Sequence, residues 1–279
     1  MHAVIYKIGG TARTRHVADA MTEGLKRCGV SVTVHDRWRG IAGDIAIAYG
    51  WNHEPVFSAY RAAGLHYAYF DMGYWDRRQA GDKKNGFHRL SVNSWDTADN
   101  MLRAMPADRF TSSGIRLKPW GSKGSVIILA GMSNKAAGSH GFKPGQWERE
   151  TEIAVRERTD RPIIVRAKPT GDQSKIEPIT DVLARAHMLI THHSNAAMDA
   201  MIAGVPFHAR KGVGRILAPD DIFLIERYPD IGDNERLQLM QDIAYAQWRP
   251  SEMRTGQAWD HIKWILRSTQ AREKSMSKS

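Results

Sequence analysis

Cysteine is nearly absent. Cys28 is the single thiol among 279 residues, which rules out an internal disulfide and a cysteine-based zinc site. Long apolar runs are missing as well: no stretch approaches the roughly 18–20 apolar residues that span a bilayer. The opening MHAVIYKIGG lacks the longer apolar core of a secretory signal. The expectation is a cytoplasmic protein with no membrane partner. Two nucleotide signatures are missing too. The Walker pattern G-x-x-x-x-G-K-[ST] does not occur, which argues against a P-loop kinase. Gly9-Gly10-Thr11 opens a helix but lacks G-x-G-x-x-G, so a Rossmann NAD site has little support. No internal repeat or low-complexity block is present.

What remains is an ordinary globular composition, 42% hydrophobic and 25% charged, on a chain long enough for one large domain or two small ones. The net charge of +10 is less ordinary. Residues 1–120 carry 17 Lys/Arg against 11 Asp/Glu, and the remainder 23 against 19. A basic surface suits nucleic acid or a phosphorylated substrate; a general solubility bias accounts for the same number.

The pattern alternates strand and helix. Val4–Lys7 reads as a strand, Thr14–Arg27 as a helix with an apolar face at Val17, Met21 and Leu25, and Val30–His35 as a second strand. Strands at Asp44–Tyr49 and His66–Phe70 flank a helix over 54–63. The segment 107–124, rich in Pro, Gly, Ser and charge, reads as a boundary. Alternation then restarts with strands at Ser125–Leu129, Pro162–Val165 and Met188–Thr191, and helices at Gln146–Glu157, Ile179–Ala186 and Asn195–Ala203. This predicts an α/β protein of two Rossmann-like lobes facing a cleft, with mostly parallel sheets. The divisions expected are a first lobe over 1–118, a second over 119–245, and C-terminal helices over 246–279. The basic, polar tail after Lys263 is expected to fray.

Three loops of the second half carry the chemistry. In MLITHHSNAAMDAMIAGVP a buried strand runs through His192, His193, Ser194 and Asn195 straight into a helix. Ser194 or Asn195 is the N-cap, and the free N–H groups there make an anion site. Asp199 lies one turn in, placed to accept from a ribose. An ordinary capped helix has the same pattern. His192 and His193 lack a third ligand at recognisable spacing, so no metal is expected. After the strand ending at Leu129, Gly131, Ser133, Lys135, His140 and Gly141 supply the small residues and the cation that suit phosphate. Arg166 and Lys168 add two cations at the end of the next strand.

These motifs resemble the nucleotide-sugar lobe of GT-B glycosyltransferases: S-x-x-x-x-[DE]-A-x-x-x-G-x-P, with Asp199 at the acidic position. Taken with Lys135, His140 and Gly141, Arg161–Lys168 and residues 244–262, the chain resembles phage-encoded DNA glucosyltransferase-like proteins over about 125–262, and more loosely over 66–97. The resemblance implies transfer of a sugar, glucose foremost, from a nucleotide diphosphate sugar such as UDP-glucose as co-substrate, with no further cofactor. The implied acceptor is double-stranded DNA carrying hydroxymethylated pyrimidines. A surface saccharide acceptor, or a non-catalytic DNA-binding protein of the same fold, are the alternatives. The first lobe would then supply a base, Asp71 or Asp76. Thr11, Arg13, Arg15, Tyr74, Trp75, Arg77 and Arg78 would meet the acceptor, the aromatics by stacking and the arginines at its phosphates. The alternative for the aspartates is an ion pair with Arg77 or Arg78 that fixes the loop.

Overall fold

A computed structural model describes residues 1–77, 85–121, 124–168, 177–218, 221–228 and 230–276. In chain order the elements are β1 (His2–Tyr6), α1 (Ala12–Arg27), β2 (Ser31–His35), β3 (Ile45–Tyr49), α2 (Glu54–Ala62), β4 (His66–Met72), β5 (His88–Val92) and α3 (Thr97–Asn100). Then come α4 (Asp108–Ser112), β6 (Val126–Ala130), α5 (Asn134–Ser139), α6 (Gln146–Arg156), β7 (Ile163–Arg166), α7 (Ile179–Leu183), β8 (Ala186–Thr191), α8 (Ala196–Ala203) and β9 (Phe207–Ala209). The chain closes with α9 (Asp233–Tyr245), β10 (Gln247–Trp248), α10 (Pro250–Thr255) and α11 (Gln257–Met276).

Two compact units result: Met1–Pro106 together with Gln241–Ser279, and Ala107–Met240. The breaks fall earlier than the expected 118/119 and 245/246, for local reasons. Lys118 N donates to Ile202 O and Gly121 N to Gly204 O, which places the stretch before 119 in the second unit. The end of α9 belongs to the first unit, because Asp242, fully buried, accepts from Arg103 Nε at 2.8 Å and Met105 N at 2.9 Å.

The first unit is built on a six-stranded sheet in the order β10-β5-β4-β3-β1-β2. β1 to β4 run parallel, and β5 and β10 add antiparallel pairings. The sheet is covered on both faces, so the central positions of β1, β3 and β4 are apolar and buried. Ala3, Ile5, Ile45, Ile47, Ala68 and Phe70 share one core with Val17, Met21 and Leu25 of α1 and with Met253, Trp259 and Ile262 of the C-terminal helices. Val4, Tyr6, Ala46, Ala48, Tyr67 and Tyr69 pack on Val56, Phe57 and Tyr60 of α2. α1 and α10 meet backbone to backbone: a Cβ on Gly24 would lie 1.9 Å from Met253 O. α11 continues to Met276 instead of fraying after Lys263, with Ile265 and Leu266 buried beyond that point.

The second unit holds a four-stranded sheet, β7-β6-β8-β9, parallel throughout. Ile127, Leu129, Met188 and Ile190 pack against Trp147 and Val155 of α6. Gly204 ends α8 at φ 72°, and a Cβ there would meet Pro119 O at 2.1 Å, so a side chain has neither the conformation nor the room. Among the described residues no helix is long and apolar enough to cross a membrane.

Candidate functional site

In the second unit the chain passes from β6 to β7 on one side and then returns to place β8 on the other side of β6. Open parallel sheets bind ligands beyond the carboxyl ends of their strands at such a reversal. The loops there are the ones after β6 and β8. Thr191 ties them together: its Oγ1 donates to Ala130 O and accepts from Ser194 N, both at 3.1 Å.

His192 and His193, on the loop after β8, meet His140, which ends α5. Candidate ligand atoms of all three lie within 4.8 Å of one another. His192 Nδ1 and His193 Nδ1 are 2.9 Å apart, so one donates and the other accepts. The His140 ring lies 4.6 Å from that of His192 and 4.8 Å from that of His193. Phe142 and Trp147 stand edge-on to His192, which is buried. Burial, followed by His140, Arg210 and Lys211, pushes the His192 imidazole down to about 4, so it is neutral at pH 7. The third imidazole is the one the sequence reading lacked, because it arrives from a different loop.

The other expected donor residues spread around the same strand ends. Ser133 caps α5, accepting from Ala136 N at 3.3 Å, and Lys135 in the first turn is exposed. Gly131 makes room for a carboxylate: a Cβ there would sit 2.7 Å from Glu148 Oε1, which accepts from Met132 N at 2.6 Å. Gly141 follows His140 at φ 79° and lets the loop turn. Arg166 donates to Glu177 O at 2.8 Å, and Lys168 is exposed.

The expectation of open amides at the start of α8 needs correcting. Asn195 is the N-cap by position without a capping side-chain bond; Ser194 Oγ instead accepts from Ala196 N at 3.2 Å. The N–H groups of Ala197, Met198 and Asp199 donate to Ser194 O and Asn195 O. These three amides are satisfied within the turn. Asp199 is half-buried one turn into the helix. Arg210 and Lys211, exposed after β9, are two further cations that sequence reasoning passed over. A strand as short as β9 gives little signal.

The first unit gathers its candidates at the ends of β3 and β4. Asp71 accepts from Tyr69 Oη at 2.6 Å, Arg89 Nη2 at 3.1 Å and, through its other oxygen, Met72 N at 2.7 Å. Burial alone would raise its carboxyl, but the Arg89 guanidinium, the Tyr69 hydroxyl and the Met72 amide outweigh it and hold the group below the usual range. Tyr49, at the end of β3, is raised by burial and by Asp71 and is opposed by Arg13, which bonds to it, and by Arg89. Arg89 lies on β5, a mixed strand that the sequence pattern did not reveal.

Asp76 is in a different situation. It sits at φ 43° and pairs with Arg249, whose guanidinium also donates to Asn85 O and covers the Phe87 ring. The expected partners were Arg77 and Arg78. Arg77 donates to Tyr74 O, and Arg78 lies outside the described residues. Tyr74 and Trp75 also need correcting as stacking residues: they are 2% and 6% exposed and belong to the core. Thr11 caps α1 through Thr14 N at 3.1 Å, and Arg15 donates to Gly10 O. Of the expected acceptor contacts that are described, Arg13 joins the Asp71 group through Tyr49, and Tyr74 through Arg89.

No protein-family model matches this chain, and no curated protein matches it in sequence. Among solved structures it is similar to Thermosulfurimonas dismutans KpsC, beta Kdo 2,4 transferase, with a TM-score of 0.52 and 13% identity, covering 95% of this chain and 98% of that one. It is similar in the same degree to Thermosulfurimonas dismutans KpsC, beta Kdo 2,7 transferase: TM-score 0.52, 14% identity, 95% of this chain and 99% of that one. At such identity the likeness is one of fold. The chain has a GT-B type, glycosyltransferase-like α/β fold with a Rossmann-like sheet in each unit. Neither neighbour's name refers to DNA or to a phage.

Proposed function

We propose that this protein is a glycosyltransferase that draws its sugar from a nucleotide-linked donor and passes it to a hydroxyl of a saccharide acceptor. One observation carries the reading. A chain whose fold resembles two sugar transferases over 95% of its length places Lys135 and His140 after β6, Arg166 and Lys168 at the end of β7, His192 and His193 after β8, and Arg210 and Lys211 after β9. Charge develops on the phosphate as the sugar leaves, and fixed cations beside it lower that barrier. Lys135, Arg166, Lys168, Arg210 and Lys211 are the residues we assign to this task, with Asp199 for the ribose. Asp71 is the carboxylate we assign to the acceptor hydroxyl. Arg89 keeps it ionised at neutral pH, at the cost of lowering its basicity.

A second reading takes hydroxymethylated pyrimidines in duplex DNA as the acceptor, and the net charge of +10 favours it. Both readings share a donor. The test is nucleotide release from a panel of nucleotide-linked sugars, UDP-glucose included, with saccharide acceptors and hydroxymethylated DNA supplied in parallel. Turnover with one donor, lost in an Arg166→Ala/Lys168→Ala variant, is the expected result, and the productive acceptor separates the two readings. If no nucleotide sugar raises the melting temperature or turns over while plain DNA does raise it, the transferase assignment falls and a DNA-binding protein of this fold remains.

A further inference from the structure

We infer that His140, His192 and His193 form a binding site for a divalent transition-metal ion of the zinc class. The reading does not depend on the transferase assignment, because ion binding by imidazoles needs neither sugar nor acceptor. Three nitrogen donors with a fourth position left for water or an anion is the donor set of an open zinc site. Zinc–nitrogen bonds of about 2.0–2.1 Å in a tetrahedron place the nitrogens roughly 3.3 Å apart. His192 and His193 already bring their Nδ1 atoms to 2.9 Å, and the whole set lies within 4.8 Å. Small rotations of the rings close the remaining gap.

The surroundings support this. Phe142 and Trp147 fix the plane of His192 from its edges, and the Thr191 hydroxyl bonds hold the loop from which His192 and His193 project. Outer contacts of this kind set how well a ligand is aimed. Among the described residues no other group of three His, Cys, Asp or Glu side chains converges in this way. Arg210 and Lys211 act on His192 electrostatically, which disfavours a bare ion and favours one that keeps an anionic fourth ligand. A phosphate oxygen meets that need.

The experiment uses the untagged full chain, stripped with chelator and titrated with Co²⁺ by visible absorption and with Zn²⁺ by calorimetry. The expected outcome is one Zn²⁺ per chain and the intense visible bands of four-coordinate Co²⁺. His140→Phe keeps a ring against His192, and His193→Gln keeps a polar side chain. Each should weaken Zn²⁺ binding by at least about 100-fold, beyond the roughly 10–100-fold typical of losing an outer contact. With 12 histidines in the chain, weak background binding survives in every variant and does not count. Circular dichroism of each variant confirms the fold. If a variant fails to fold, the wild-type titration decides alone. Absence of stoichiometric binding, weak six-coordinate Co²⁺ bands, or unchanged affinity in His140→Phe each overturns the inference.

Discussion

The carboxyl ends of the two sheets are finished in opposite ways. In the first unit Asp71 and Arg89 cancel each other's charge, with Tyr69 bonded to Asp71 and Arg13 to Tyr49. In the second, Lys135, Lys168, Arg210 and Lys211 are exposed, and His140, His192 and His193 converge. A self-compensated edge holds one group in a fixed protonation state, which suits chemistry. An edge with surplus positive charge waits for an anion, which suits binding.

The sharpest way to break this contrast is Asp71→Asn. Turnover should fall by roughly 10²–10⁴-fold while donor affinity, read by calorimetry, stays unchanged. A loss of affinity instead would mean the two edges do not divide the work. Next in size, Arg166→Ala or Lys168→Ala should weaken the donor roughly 10–100-fold and lower turnover at saturation as well, since both cations act on the charge that develops as the sugar leaves. Arg89→Met tests the cancellation itself. Stripping one partner from a fully buried pair costs roughly 3–5 kcal/mol, but the Asp71 side chain is 34% exposed, so about 1–3 kcal/mol is expected from urea unfolding. Adding Asp71→Asn to Arg89→Met should recover most of it.

The smallest effect is in pH. A carboxyl held below its unfolded value of about 3.9 stabilises fully above that pH and loses its contribution as pH falls through the folded value. The stability gap between wild type and Asp71→Asn should therefore be flat from pH 7 to about 4 and close below it. For the same reason Asp71 should add no inflection to the turnover profile between roughly pH 5 and 8.

The strands buried on both faces, β1, β3, β4, β6 and β8, were legible in the sequence because each is a short unbroken apolar run. β5 (HRLSV) mixes charge with apolar residues, β9 has three residues and β10 two, and all three went unread. The missed site residues follow from that: Arg89 rides on β5, and Arg210 and Lys211 follow β9. The loop after β8 was found because strand, polar loop and helix are contiguous there. His140 was noted for its own loop but not as a partner of His192, since convergence across 52 positions is a property of the sheet order. Tyr74 and Trp75 misled because polar neighbours flank them, whereas their rings turn inward.

The chain path through the two units carries a consequence for synthesis. Residues 107–240 are one uninterrupted stretch, whereas the first unit is completed only by 241–279. Its core counts Trp248, Met253, Trp259 and Ile262 among its members, and the bare α1 face at Gly24 is shaped for α10. Domains tend to fold as units in the order they leave the ribosome, and here that order is inverted. Residues 1–106 must wait for 241–279, with α1 and the sheet uncovered, while residues 107–240 close. The interval exposes apolar surface of the kind that holding chaperones recognise, and truncation within the last 40 residues should cost the beginning of the protein more than its middle.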